Sequence, residues 1–319
     1  MRYATPDFPT VSRNFTIAKV IGILIVAAGH YFEGSLLWIP ATIALFVFGF
    51  SSGYFTSLRY RGQTDQAGFW KAKVTRLLPA VVVIDMFLLA LFLLEGRPGI
   101  WTWQSLVSAA GLSGWLNWTG AHNPGPFGAG LWFFTLLLMF YLVYPLLSRL
   151  TQTPRSALAT SLTTLILVSV LHHTVDVGHM LWLTAGAFVL GSAAGGNRLP
   201  LAPRAYPFIF IGSLVLLAFL NAVLGLKTLN YPLLLGLCVA AVGWLLSAPL
   251  PNLGLDRLMR LDACILEIYF IHTYLFLRPA GWPAAAGWMI STVLVIVVAL
   301  LLVFVRRRLF EKTHKPATA

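Results

Sequence analysis

Ten apolar runs dominate the chain, near residues 15–33, 36–57, 74–94, 130–148, 157–173, 179–195, 205–222, 229–248, 261–278 and 284–305. Each approaches the roughly 20 residues that carry an α-helix across a hydrocarbon core about 30 Å thick. In lipid every backbone N–H and C=O must be satisfied internally, which leaves helices or a closed barrel, and runs of this length are too long for barrel strands. Composition agrees: of 319 residues 58% are hydrophobic and only 10% charged, against about a quarter charged in a soluble domain. The expected fold is therefore all-α, a polytopic membrane helix bundle of about ten transmembrane helices forming one domain over 1–319 with no attached soluble domain.

The net charge of +12 would suggest nucleic acid in a soluble protein, but here the cations sit between the apolar runs and read as topology. Arg97, Lys227 and Arg278 fall on one side of the alternating layout and Lys19 lies inside a span. Every other Lys and Arg, from Arg2 and Arg13 to the Arg306–Arg308 cluster, falls on the opposite side. Because cytoplasmic loops hold the excess of cations, both termini are expected in the cytoplasm. The first run carries Lys19 and His30 and further spans follow it, so it reads as a retained span rather than a cleaved signal. The tryptophan-rich stretch WTWQSLVSAAGLSGWLNW (101–118) is short and polar for a span and suits a helix lying at the interface. Cys238 and Cys264 each stand alone in an apolar run, so neither a disulfide framework nor a thiolate metal site is indicated.

Ionisable groups inside spans mark the candidate chemistry, because each costs roughly 2.5–3.5 kcal/mol to insert. Lys19 and His30 are eleven positions apart in KVIGILIVAAGH, three helical turns and about 16 Å along one face. Two readings stay open: Lys19 snorkels to the surface while His30 caps an interfacial end, or both face protein and act. The segment RYRGQTDQAGFWKAKVTRLLPA (59–80) is either topogenic charge or a polyanion site, with Arg76 placed slightly inside the third run. Asp85 and Glu267 are intramembrane carboxylates that could pair with a cation or fix packing. The loop HHTVDVGH, with His172, His173, Asp176 and His179, matches no metal-ligand spacing and reads as a solvated loop or an acceptor contact. His122, in GAHNPGPFGAG, lies on the same far side and can line an acceptor cleft, with Trp115 and Trp118 as stacking or anchoring rings.

Several stretches together resemble one family, the acyltransferase-3 group of integral membrane acyltransferases. Lys19 and His30 with ten residues between them resemble its Arg/Lys-x10-His signature, and FVFGFSSGYF (46–55) its second-span pattern. FWKAKVTRLLPA (69–80) is similar to its basic approach to span three, with Lys73 where an arginine is usual. GLWFFTLLLMFYLVYPLL (130–147) and LEIYFIHTYL (266–275) resemble its fourth and late elements, in the family's order.

The resemblance implies transfer of an acyl group, commonly acetyl, from cytoplasmic acyl-coenzyme A to a carbohydrate hydroxyl across the membrane, in the plasma (inner) membrane. It makes His30 the expected general base, since an imidazole titrates near neutrality; Glu267 departs from the small or hydroxyl residues usual near the late motif, and its carboxylate chemistry makes it the expected group to orient the ring. Lys19, Lys73 and Arg76 are the expected coenzyme-phosphate ligands. Trp132, Tyr141 and His122 are the expected substrate contacts, with Tyr54, Trp132 and Tyr141 as candidate oxyanion donors. Acyl-CoA is the co-substrate, and no metal is expected. Partners are the glycan acceptor and membrane lipids, with a second copy or envelope-biosynthesis proteins beside them, and no nucleic acid. The competing classes are a glycan or small-solute transporter, which also buries ionisable groups, and an assembly subunit, which leaves Lys19 and His30 unexplained.

Overall fold

The computed structural model describes residues 7–63, 65–128, 131–175, 178–197, 205–226, 229–251 and 254–311, and among them no strand occurs. The helices are α1 (Phe8–Tyr31), α2 (Trp38–Tyr60), α3 (Gln66–Leu94), α4 (Trp103–Val107), α5 (Ser113–Trp118), α6 (Trp132–Leu150), α7 (Pro154–Thr174), α8 (His179–Gly196), α9 (Ala205–Ala222), α10 (Asn230–Ser247), α11 (Ile265–Ile271) and α12 (Ala284–Arg306). Eight of them, α1, α2, α3, α6, α7, α9, α10 and α12, are long and apolar enough to cross a membrane. The protein is a polytopic membrane helix bundle. α8 has 18 residues, like α9, but is richer in glycine and alanine.

The run expected to span at 261–278 differs. It begins as a 3-10 helix over Leu255–Cys264, becomes α-helical only for the seven residues of α11, and ends in a 3-10 turn at His272–Tyr274. His272 explains part of the break: its Nδ1 lies 3.1 Å from the carbonyl of Ile268 and 2.8 Å from that of Tyr269, so a side chain competes with the backbone ladder. Such backbone is tolerated at membrane depth where protein surrounds it, and Glu267 through His272 are all buried.

The chain divides into two compact units, residues 1–63 with 142–262 and residues 64–141 with 263–319. In the first unit α2 packs along α8 through a seam of glycines spaced four apart on each helix. Gly49 and Gly53 approach Thr184, Phe188 and Ser192, while Gly191 and Gly195 approach the backbone of Phe50 and Tyr54. Small residues at this spacing let two backbones meet closely, which in lipid replaces the missing hydrophobic drive between helices. α1 lies on α2, where a methyl at Gly22 would stand 3.1 Å from that of Ala44. Asn14 of α1 is wholly buried and saturated: its amide donates to the carbonyls of Leu245 (2.9 Å) and Ala248 (2.8 Å) and accepts from the Leu250 amide (3.1 Å). It thereby caps the C-terminal end of α10, whose last carbonyls have no helical partner. Arg61, just past α2, donates to the carbonyl of Gln152 and to Asn197 Oδ1, and Asn197 donates to Thr151.

In the second unit α3, α11 and α12 pack together, with Phe92 edge-on to Phe127 and Phe134 edge-on to Phe270. The tryptophan-rich stretch is not one helix: α4 and α5 are separated by a π-helical turn, Ser108–Leu112, in which Gly111 takes φ 81°. Thr135 of α6 holds that break, donating to Gly111 O (2.8 Å) and accepting from Gly114 N (2.9 Å). Trp101, Trp103 and Trp115 are exposed, as suits rings at a membrane boundary.

Candidate active site

In the first unit, α1 runs unbroken from Phe8 to Tyr31, so Lys19 and His30 lie on one helix with three turns between them. His30 occupies the last turn and is half-buried. Lys19 is engaged: its Nζ stands 2.9 Å from Asp262 Oδ1, and one turn and a half earlier Arg13 Nε stands 2.7 Å from Asp256 Oδ1. The 3-10 segment that precedes α11 is thus strapped to the N-terminal half of α1 by two ion pairs. Both are partly exposed, with side-chain accessibilities of 26% and 40% for Lys19 and Asp262. Pairs of that kind are worth about 0–1 kcal/mol, so a polyanion can take Lys19 from Asp262. Tyr54 sits in an aromatic stack with Phe15 and Phe50.

The second unit brings Lys73, Arg76 and Tyr141 together. Lys73 is 6% exposed, its Nζ lying 4.1 Å from the centroid of Tyr141 and 5.3 Å from that of Phe69. Ring faces stabilise a cation that has lost water. Arg76, one turn on and exposed, donates from Nη2 to the Tyr141 hydroxyl at 3.1 Å. A single buried phenol therefore meets both cations, one on its face and one on its oxygen. Trp132 is half-buried at the start of α6, nine residues from Tyr141 and so about 13 Å away on the opposite face. His122 is exposed in the segment before α6, and Asp85 is half-buried on α3.

Glu267, expected to orient His30, is 1% exposed and accepts from Arg306 Nη1 through Oε1 at 2.5 Å. That pair joins α11 to α12, and Oε2 makes no hydrogen bond among the described residues. From sequence Arg306 reads only as one of the terminal topogenic cations. Asp256 stands in what reads as a loop and Asp262 at the edge of the 261–278 run, and in neither place does local sequence signal a partner on α1.

His172 and His173, expected in a loop, lie in the last turn of α7, and His179 opens α8; all three border a cavity of about 510 Å³ in the first unit, lined also by Trp38, Asn230, Tyr231 and Leu234. Asp176 lies outside the described residues. Among those described, no three His, Cys, Asp or Glu side chains gather as metal ligands would.

No curated protein and no solved structure matches the chain. A family described as an acyltransferase domain matches it over residues 13–305, from the residue that pairs with Asp256 to the one before Arg306. That match takes in the α1 face with Lys19 and His30, the Lys73–Arg76–Tyr141 cluster and the Glu267 segment, and the chain belongs to the acyltransferase-3 family.

Proposed function

We propose that this membrane acyltransferase moves a short acyl group, acetyl in the simplest case, from cytoplasmic acyl-CoA to a carbohydrate hydroxyl presented at the opposite face of the plasma (inner) membrane. The observation that carries the reading is the unbroken α1 with a cation three turns below an imidazole. In this reading His30 takes the hydroxyl proton as the acceptor oxygen attacks the thioester carbon. The tetrahedral intermediate then collapses, the C–S bond breaks, and the imidazolium returns the proton to the departing thiolate. Lys19, Lys73 and Arg76 hold the coenzyme's phosphates, with Lys19 exchanging Asp262 for that anion. Trp132 and His122 serve as acceptor contacts, while Tyr141, expected beside them, supports the coenzyme end through Lys73 on its face and Arg76 on its hydroxyl; Glu267, expected to orient His30, is engaged by Arg306.

The test is thiol release by the purified protein given acetyl-CoA, with and without sugar acceptors. Acceptor-stimulated release supports transfer. Release at background with every acceptor, together with movement of an unmodified sugar across a proteoliposome, would establish the transporter alternative.

A further inference from the structure

The 3-10 segment LDRLMRLDAC, Leu255–Cys264, repeats every three residues. Side chains three apart eclipse in a 3-10 helix, so the repeat gives the segment three faces. Leu255, Leu258 and Leu261 form a half-buried apolar face, Arg257 and Arg260 an exposed basic one, and Asp256, Met259 and Asp262 the third. That third face holds the two carboxylates that pair with α1, Asp256 with Arg13 at 2.7 Å and Asp262 with Lys19 at 2.9 Å. The winding matters. Six residues of α-helix would turn the two carboxylates about 120° apart, whereas in 3-10 form they line up about 12 Å from each other. Arg13 and Lys19 stand about 9 Å apart along α1, and their long side chains close the difference. Runs of 3-10 helix beyond three or four residues are uncommon, and this one has ten.

Arg13 is the more firmly held of the two cations. Its guanidinium also donates from Nη1 to the Leu250 carbonyl at 3.3 Å, and the neighbouring Asn14 accepts from the Leu250 amide at 3.1 Å. Its side chain is 23% exposed against 52% for Asp256. The cation is therefore anchored and the carboxylate is the loose partner. A guanidinium presents paired N–H donors that match phosphate as well as carboxylate. Two cations on one helix are thus both occupied by anions from a single segment.

We infer that Asp256 and Asp262 stand in for two phosphate groups of the acyl donor, that Arg13 is a donor-phosphate ligand beside Lys19, and that the segment yields its place when the donor binds. This goes beyond the proposed reading, on which it rests for Lys19, by adding Arg13 and Asp256. Exposed ion pairs are weak, so the donor's phosphates displace them, and in its absence they occupy both cations.

Titration calorimetry with desulfo-coenzyme A, which has the donor's phosphates and no thioester, tests it on the full chain in zwitterionic nanodiscs. The wild type should bind it and should not bind pantetheine, which has no phosphate. Asp256→Asn and Asp262→Asn should each tighten binding by up to about fivefold, the most that an exposed ion pair is worth. Arg13→Gln should weaken binding several-fold, and Arg13→Lys, which keeps the charge and loses the paired donors, should weaken it less. With Arg13→Gln in place, Asp256→Asn should no longer tighten binding, whereas Asp262→Asn still should. Wild-type affinity in folded Arg13→Gln would overturn the inference, and so would a gain from Asp256→Asn that survives Arg13→Gln, since it would mark a general effect of charge. If Lys19→Met weakens binding and Arg13→Gln does not, the reading of Lys19 stands and the inference falls. The expected pattern of binding together with no acceptor-stimulated thiol release would count against the reaction and support the site.

Discussion

Replacing Gly191 by alanine should force α2 and α8 apart. The added methyl would stand 2.8 Å from the carbonyl carbon of Phe50 and 3.0 Å from its Cα, where carbon atoms rest no closer than about 3.5 Å. The seam must therefore open by at least about 0.7 Å, and the atoms in the way are backbone, with no rotamer to swing aside. Overpacking of this kind costs about 1–3 kcal/mol. α1 lies on α2, so the displacement is passed to the helix that carries His30. Thermal unfolding in detergent measures it, with Gly212→Ala as control, since a methyl there meets nothing within 4 Å. The control should be neutral or stabilised by up to about 1 kcal/mol, because alanine is the better helix former. If Gly191→Ala unfolds no earlier than Gly212→Ala, the close α2–α8 seam is not what holds the first unit together.

Glu267→Met should destabilise by about 3–5 kcal/mol, because it strands Arg306 beside a buried site, whereas adding Arg306→Met should recover much of the loss; chemical denaturation of the wild type, the two single variants and the double variant closes the cycle. Lys19→Met and Arg76→Met should each raise the KM for acetyl-CoA several-fold with a smaller effect on kcat, and unchanged donor dependence in both would remove them from coenzyme binding. Asp262→Asn should act in the opposite direction, lowering the donor KM, because it frees Lys19 from its resident partner. Tyr141→Phe should mimic Arg76→Met only partly, since it deletes the hydrogen bond to Arg76 while keeping the ring beneath Lys73.

Most helices were legible as apolar runs because lipid imposes length and backbone closure whatever the side chains are. The exception, 261–278, shows where that reasoning ends. Apolarity reports burial and says nothing of whether burial is by lipid or protein, and in LEIYFIH it is by protein, which allows a broken helix. Lys19 and His30 could be paired from sequence because both stand on one helix, where spacing alone settles the face. Glu267 could not be assigned, since its partner Arg306 is 39 positions away on another helix, where no periodicity connects them. Lys19–Asp262 and the Tyr231 cavity were hidden for the same reason, both being products of long-range packing. The glycine seam is not legible as a contact, because Gly49 and Gly53 in FGFSSG and Gly191 and Gly195 on α8 are each four apart, yet spacing alone does not say which helices meet.

Replacing the imidazole tests the account most directly. Proteoliposomes would be loaded with labelled acetyl-CoA on the side of the Arg306–Arg308 cluster and given a sugar acceptor on the other. The wild type should transfer label to the acceptor, and His30→Gln should do so about 10²–10⁴-fold more slowly, the range a positioned general base supplies, with the donor KM little changed. Transfer by His30→Gln at the wild-type rate would contradict the assignment of His30 as the base.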